Sequence, residues 1–117
     1  MKISERTVGA VTVLDLDGKL VTADGTQILK DKVNSLVFQK RCEVLLNLRN
    51  VPYIDSGGLG ELVTALTTVS RAGGHLKLVN ANEKSRDLLA LTKLVTVFEV
   101  FESEPDAVRS FGAGVAV

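Results

Sequence analysis

The sequence predicts a single α/β domain, with a mixed, mostly parallel sheet, an N-terminal β-hairpin and about four helices. Three observations point there. From residue 44 onward strand-like and helix-like runs alternate, which implies right-handed βαβ crossovers. The run Val44-Leu45-Leu46-Asn47-Leu48 is nearly all apolar, as suits a central parallel strand covered on both faces. Before it, two β-rich runs flank Gly9-Ala10, a dipeptide short enough for a hairpin.

In chain order, residues 2–8 and 11–17 read as strands, the second closed by the turn dipeptide Asp17-Gly18. Ile28, Leu29, Val33, Leu36 and Val37 recur at helical spacing and predict a helix over 24–38, capped by Thr22 or Asp24. The strand Val44–Leu48 follows, then a loop from Arg49 to Asp55. A second helix is expected over 56–71, with Leu59, Leu62, Val63, Leu66 and Val69 as its apolar stripe. Arg71 suits the negative end of its dipole and Gly73-Gly74 supplies the stop. His75–Val79 reads as a strand. Asn82 can cap a helix over 83–92 with Leu88, Leu89 and Leu91 as burial candidates. Val97–Phe101 reads as a last strand, and Ser103-Glu104-Pro105 opens a final helix ending near Phe111. Residues 1–111 are thus expected to form the domain and 112–117 a flexible tail of small residues.

Bulk properties narrow the function classes. The chain has 117 residues, 45% apolar and 24% charged, an ordinary balance for one folded domain. Lys+Arg and Asp+Glu both number 14, so there is no basic excess of the kind that grips nucleic acid. With no tryptophan, one tyrosine and four phenylalanines, a stacking platform for single strands is not expected either. No apolar stretch approaches the roughly 20 residues of a membrane span, and residues 1–6 lack the apolar core of a signal peptide. A lone Cys42 fits a reducing, cytoplasmic setting, where it reads as a small core residue. One His and one Cys make neither a metal cluster nor a hydrolytic triad, so no cofactor is expected.

One segment concentrates chemistry: Asp55-Ser56-Gly57-Gly58-Leu59-Gly60, between a strand and a helix. It is neither a Walker loop nor a strict dinucleotide fingerprint. The first amides of a helix have no internal partners and favour anions, and glycines let another backbone or a phosphate come close. Ser56 can be read as the helix N-cap, as a phosphorylation site, or as both. A phosphate there adds about 1.5 to 2 negative charges where the dipole tolerates them, so the fold survives while a docked partner is repelled.

The run Val51-Pro52-Tyr53-Ile54-Asp55-Ser56-Gly57-Gly58-Leu59-Gly60 resembles the signature of the sulfate transporter and anti-sigma factor antagonist (STAS) domain. The resemblance extends to Gly18 and the loop and helix after it, the apolar strand, Gly73-Gly74, and Leu91-Thr92-Lys93-Leu94 with Phe98. The length is similar to that of bacterial anti-sigma factor antagonists. The resemblance implies a partner-switching protein, not an enzyme. Unphosphorylated, it would bind an anti-sigma factor that is also a serine kinase; phosphorylation of Ser56 would end binding, and a serine phosphatase would restore it. Val21, Thr22 and Asp24 would join Asp55, Ser56, Gly57, Gly58, Leu59 and Gly60 in the partner surface. No direct contact with nucleic acid or membrane is implied, and a weak homodimer stays open. Four positions depart from the family pattern: Gly57 stands where Ser or Thr is common, Asn47 where Asp is frequent, Val21 where an acidic residue occurs, and Lys93 where glycine often ends a helix. The alternatives are a constitutive scaffold or sensor subunit of the same fold, and a small nucleotide- or phosphate-binding module using the helix start.

Overall fold

In the computed structural model of the chain, the described residues are 1–112. The expected tail therefore lies, from Ala113 on, outside them. The elements are β1 (Lys2–Val8), β2 (Val11–Asp17), α1 (Thr26–Phe38), β3 (Glu43–Asn50), α2 (Ser56–Arg71), β4 (His75–Val79), α3 (Glu83–Leu91), a 3-10 turn (Leu94–Thr96), β5 (Val100–Phe101) and α4 (Glu104–Gly112).

The sheet has five strands in the order β1-β2-β3-β4-β5. Only β1 is antiparallel, joined to β2 through the expected hairpin, and the other pairs are parallel. The N-terminal hairpin and the mostly parallel mixed sheet are as the sequence predicts. Alternation along each strand sorts side chains onto two faces. Leu14, Leu16, Val44, Leu46, Leu48, Leu76 and Leu78 pack against Leu29, Val33 and Leu36 of α1, Leu59, Leu62, Ala65 and Val69 of α2, and Leu89 of α3. The other face is covered by α4, where Val11, Val13, Leu45 and Val79 meet Ala107 and Phe111. Covering both faces of β3 explains its unbroken apolar run. Lys77 is buried on the α4 side; its ammonium donates to Ser110 Oγ at 2.9 Å and lies 4.7 Å from the Phe111 ring centroid.

Four local expectations are corrected. Helix α1 begins at Thr26, and Gly25, not Thr22 or Asp24, is its cap, with φ 103°. A β carbon there would press on the Lys19 carbonyl oxygen at 3.1 Å, so glycine serves where a capping side chain does not fit. β3 runs from Glu43 to Asn50, longer than Val44–Leu48, because pairing continues to His75 on β4 and to Asp17 on β2. The expected strand over 97–101 shortens to Val100–Phe101. Lys93 turns left-handed at φ 62°, and the chain tightens into the 3-10 turn before it reaches the sheet. Leu91, expected to be buried, is 83% exposed, while Leu89 is buried as expected and Leu88 half-buried. Among the described residues no helix is long and apolar enough to cross a membrane.

Candidate functional site

The site forms where two loops leave neighbouring parallel strands on the same side of the sheet. After β2 and β3 the backbones stay zipped. Gly18 N–H donates to the Asn50 carbonyl at 3.0 Å, Leu20 N–H to the Tyr53 carbonyl at 3.0 Å, and Asp55 N–H to the Leu20 carbonyl at 3.2 Å. The loop before α1 is thereby laid against the start of α2. Beyond Leu20 it folds into a tight turn, with Val21 and Asp24 exchanging backbone hydrogen bonds of 3.0 Å each way. Thr22 and Ala23 stand exposed at its tip.

Asp55 joins the two loops. It is the N-cap of α2, its carboxylate accepting from Gly58 N–H at 2.7 Å. The same carboxylate accepts the Thr22 N–H at 3.0 and 3.1 Å. The hydrogen bonds from Gly58, then Thr22, hold its pKa below the ordinary carboxylate value. Ser56 is therefore not the cap. It is the first residue of α2, and exposed. Asp55 satisfies the helix start, and Ser56 faces outward.

The glycines differ in purpose. A β carbon on Gly58 would collide with the Leu20 carbonyl oxygen and come within 2.8 Å of its carbon. One on Gly57 would collide with Thr22 Oγ1 and lie 2.8 Å from Thr22 Cβ. These two allow the loops to touch. Gly60 meets nothing within 4 Å and is exposed, so it leaves a bare spot on the surface instead. Gly58 and Leu59 are buried beneath the turn. Asp24 faces the chain start, its carboxylate 3.0 Å from the Met1 amino group. The structure thus brings Val21, Thr22, Asp55, Ser56 and Gly57 together, with Gly60 one turn along α2. Sequence reading missed Leu20, whose carbonyl both anchors Asp55 and sets the limit at Gly58. A buried apolar residue just before a loop was its only signal.

Chemically, the helix start already holds an anion. Asp55 occupies the amides that would receive a free phosphate, so the arrangement disfavours an inorganic phosphate or nucleotide there. Beside it, Tyr53, Ile54, Lys84, Ser85 and Leu88 line a shallow cleft of about 180 Å³.

A family model described as STAS domain matches residues 2–107. A Thermotoga maritima protein assigned by name as an anti-sigma factor antagonist is 35% identical over 67 residues, 57% of this chain and 59% of that protein. The crystal structure of a Thermotoga maritima protein so assigned superposes with TM-score 0.87 at 26% identity, covering 93% of each chain. The Bacillus cell fate determinant SpoIIAA in its phosphorylated form superposes with TM-score 0.70 at 18% identity, over 93% of this chain and 98% of that one, a likeness of fold alone.

Proposed function

Because the chain belongs to the STAS domain family, we propose that it is an anti-sigma factor antagonist, switched by phosphorylation of Ser56. In this reading it binds an anti-sigma factor that is also a serine kinase, frees the sigma factor, and loses the partner when phosphorylated. A serine phosphatase reverses the change. The chain is a substrate and binding module, not itself an enzyme, and works in the cytoplasm. Its partner surface is Val21, Thr22, Asp24, Ser56, Gly57 and Gly60, held from beneath by Asp55, Gly58 and Leu59.

One observation carries the reading: Ser56 is exposed at the first position of α2 while Asp55 does the capping. A phosphoryl group on Ser56 finds the nearest helix amides engaged by Asp55. It stays in solvent and adds roughly 1.5 to 2 negative charges to a surface otherwise made of small side chains. The fold keeps its hydrogen bonds; a partner closing on Gly57 and Gly60 meets bulk and an unpaired charge. That a structural relative exists in a phosphorylated form with the same fold supports a switch of surface, not of shape.

The test compares wild type, Ser56→Ala and Ser56→Asp as bait in lysate of the source cell, followed by titration against the captured anti-sigma protein. Ser56→Ala should bind as wild type, and Ser56→Asp at least about tenfold more weakly, the cost of roughly 1.4 kcal/mol for one unpaired charge at the contact. Equal binding by the two variants would remove the switch.

A further inference from the structure

We propose that the groove between the β1–β2 hairpin turn and the last turn of α4 is a docking site for residues 113–117 of the same chain, which latch α4 to the hairpin. This goes beyond the antagonist reading and does not depend on it. The groove lies at the end of the sheet where β2 and β3 begin, away from the loops around Ser56.

The groove encloses about 300 Å³. Ligand sites span roughly 300–1,000 Å³, so this one is at the lower bound and suits a few small side chains better than a cofactor. Its walls are apolar: Val8, Val11, Val108 and Phe111. Val8 and Val108 are only half-buried, on the face of the sheet that α4 covers. Two charged residues reach the rim, and both are engaged elsewhere. The Glu43 carboxylate lies 3.0 Å from His75 Nδ1, and Arg109 pairs with Asp106. An occupant therefore gains by burying apolar surface, not by meeting a charge.

Three observations make that occupant this chain's own. Gly112 is itself part of the lining, so residue 113 starts at the lip of the groove. The residues that follow, Ala113-Gly114-Val115-Ala116-Val117, carry small, uncharged side chains. Extended, five residues reach about 17 Å, ample for a groove that begins beside them. Alternate side chains of an extended segment share a face, so Val115 and Val117 enter the groove together while Ala116 faces solvent. Gly114 permits the reversal between helix and groove. The family match stops at residue 107, so the last turn of α4 and the segment after it lie outside the matched span.

The test uses the full chain with methyl-labelled valine and ring-labelled phenylalanine, as wild type, Val115→Asp and Ala116→Asp. In wild type, nuclear Overhauser contacts should link the Val115 and Val117 methyls to Val8, Val108 and the Phe111 ring. Val115→Asp should lose them, and amides of residues 8–11 and 108–111 should exchange about tenfold faster, as release of a local contact predicts. Ala116→Asp adds the same charge on the outward face and should keep the contacts and the wild-type exchange. A mixed sample of differently labelled copies shows whether the contacts arise within one chain. Contacts only between copies would overturn the proposal in favour of a second molecule in the groove. Contacts from the groove to a copurifying compound, in place of Val115 and Val117, would overturn it too. So would an empty groove, or unchanged exchange in Val115→Asp. Exchange in Ala116→Asp as fast as in Val115→Asp would overturn the assignment of faces.

Discussion

Gly57, Gly58 and Gly60 look alike in the sequence, yet they answer to different constraints. Gly58 lies under the Leu20 backbone, which cannot step aside without breaking the Leu20–Asp55 hydrogen bond. Gly58→Ala should lower stability by about 1–3 kcal/mol, the usual cost of forcing a methyl group into filled space, read from the urea midpoint. Gly60 has no such neighbour. Gly60→Ala should raise stability by up to about 1 kcal/mol through helix propensity alone, while weakening partner binding if the bare spot lies in the interface. A loss of stability in Gly60→Ala would show that the first turn is strained in a way its geometry does not reveal. Gly57 falls between them, because what it approaches is the movable Thr22 side chain. The glycine run was legible as a close-approach motif. Which glycine serves which neighbour was not, since Leu20 and Thr22 are more than thirty positions away in sequence.

Among elements, the segment after α3 shows best how propensity yields to context. Val95, Val97 and Val100 are β-branched, which favours a strand. But α3 ends with Lys93 at φ 62°, and Val97 and Phe98 N–H both return to the Leu94 carbonyl, at 2.9 and 3.0 Å. Only Val100 and Phe101 remain to pair with Leu78 and Val79. A left-handed lysine costs roughly 1 kcal/mol that glycine avoids. Lys93→Gly should therefore raise the thermal midpoint, by an amount equivalent to about 1 kcal/mol, without changing the fold. A lower midpoint would mean that the Lys93 side chain has a stabilising role. Helix α2, by contrast, was legible at its C-terminal end, with Arg71 in its last turn and a stop at Gly73-Gly74, whereas its cap proved to be Asp55 and not Ser56. Gly74 earns its place through tertiary contact as well, since a β carbon there would collide with the Cys42 carbonyl oxygen.

Across the whole molecule, charge links elements that the core does not. Arg6 on β1 donates to Asp15 on β2 at 2.6 Å and to Glu104 at the start of α4 at 2.9 Å. Asn47 on β3 donates to Asp15 at 2.7 Å and accepts from Asn80, just past the end of β4, at 3.0 Å, so one polar row runs from β1 to the end of β4. Arg6 holds the Asp15 and Glu104 carboxyls below their ordinary values, and Lys32 with Arg41 does the same for Glu5. Buried Glu61 runs the other way, raised by desolvation and only partly relieved by Lys30 at 4.0 Å. A carboxylate depressed in the folded state adds stability above its unfolded pKa, about 4, and loses it as pH falls through the folded value. Glu61 has the opposite sign. With Asp55 also depressed, four groups oppose one. The urea midpoint should hold steady from neutral pH to about pH 5 and drop below about pH 4. Arg6→Gln should lower it at neutral pH and narrow the difference between neutral and acid. An acid midpoint equal to the neutral one would refute the assignment.

By itself, the sequence determined the α/β class, the hairpin, the covered central strand and the segment around Ser56. Those are short-range properties, written in period, turn chemistry and a contiguous motif. Only the tertiary structure decided that Asp55 caps α2 and clasps Thr22, that Gly57 and Gly58 exist for Thr22 and Leu20, and that Val97 is not in a strand. Each of these depends on which loop the parallel pairing of β2 with β3 lays against the head of α2. That placement is made by long-range hydrogen bonds and excluded volume, which no local pattern encodes.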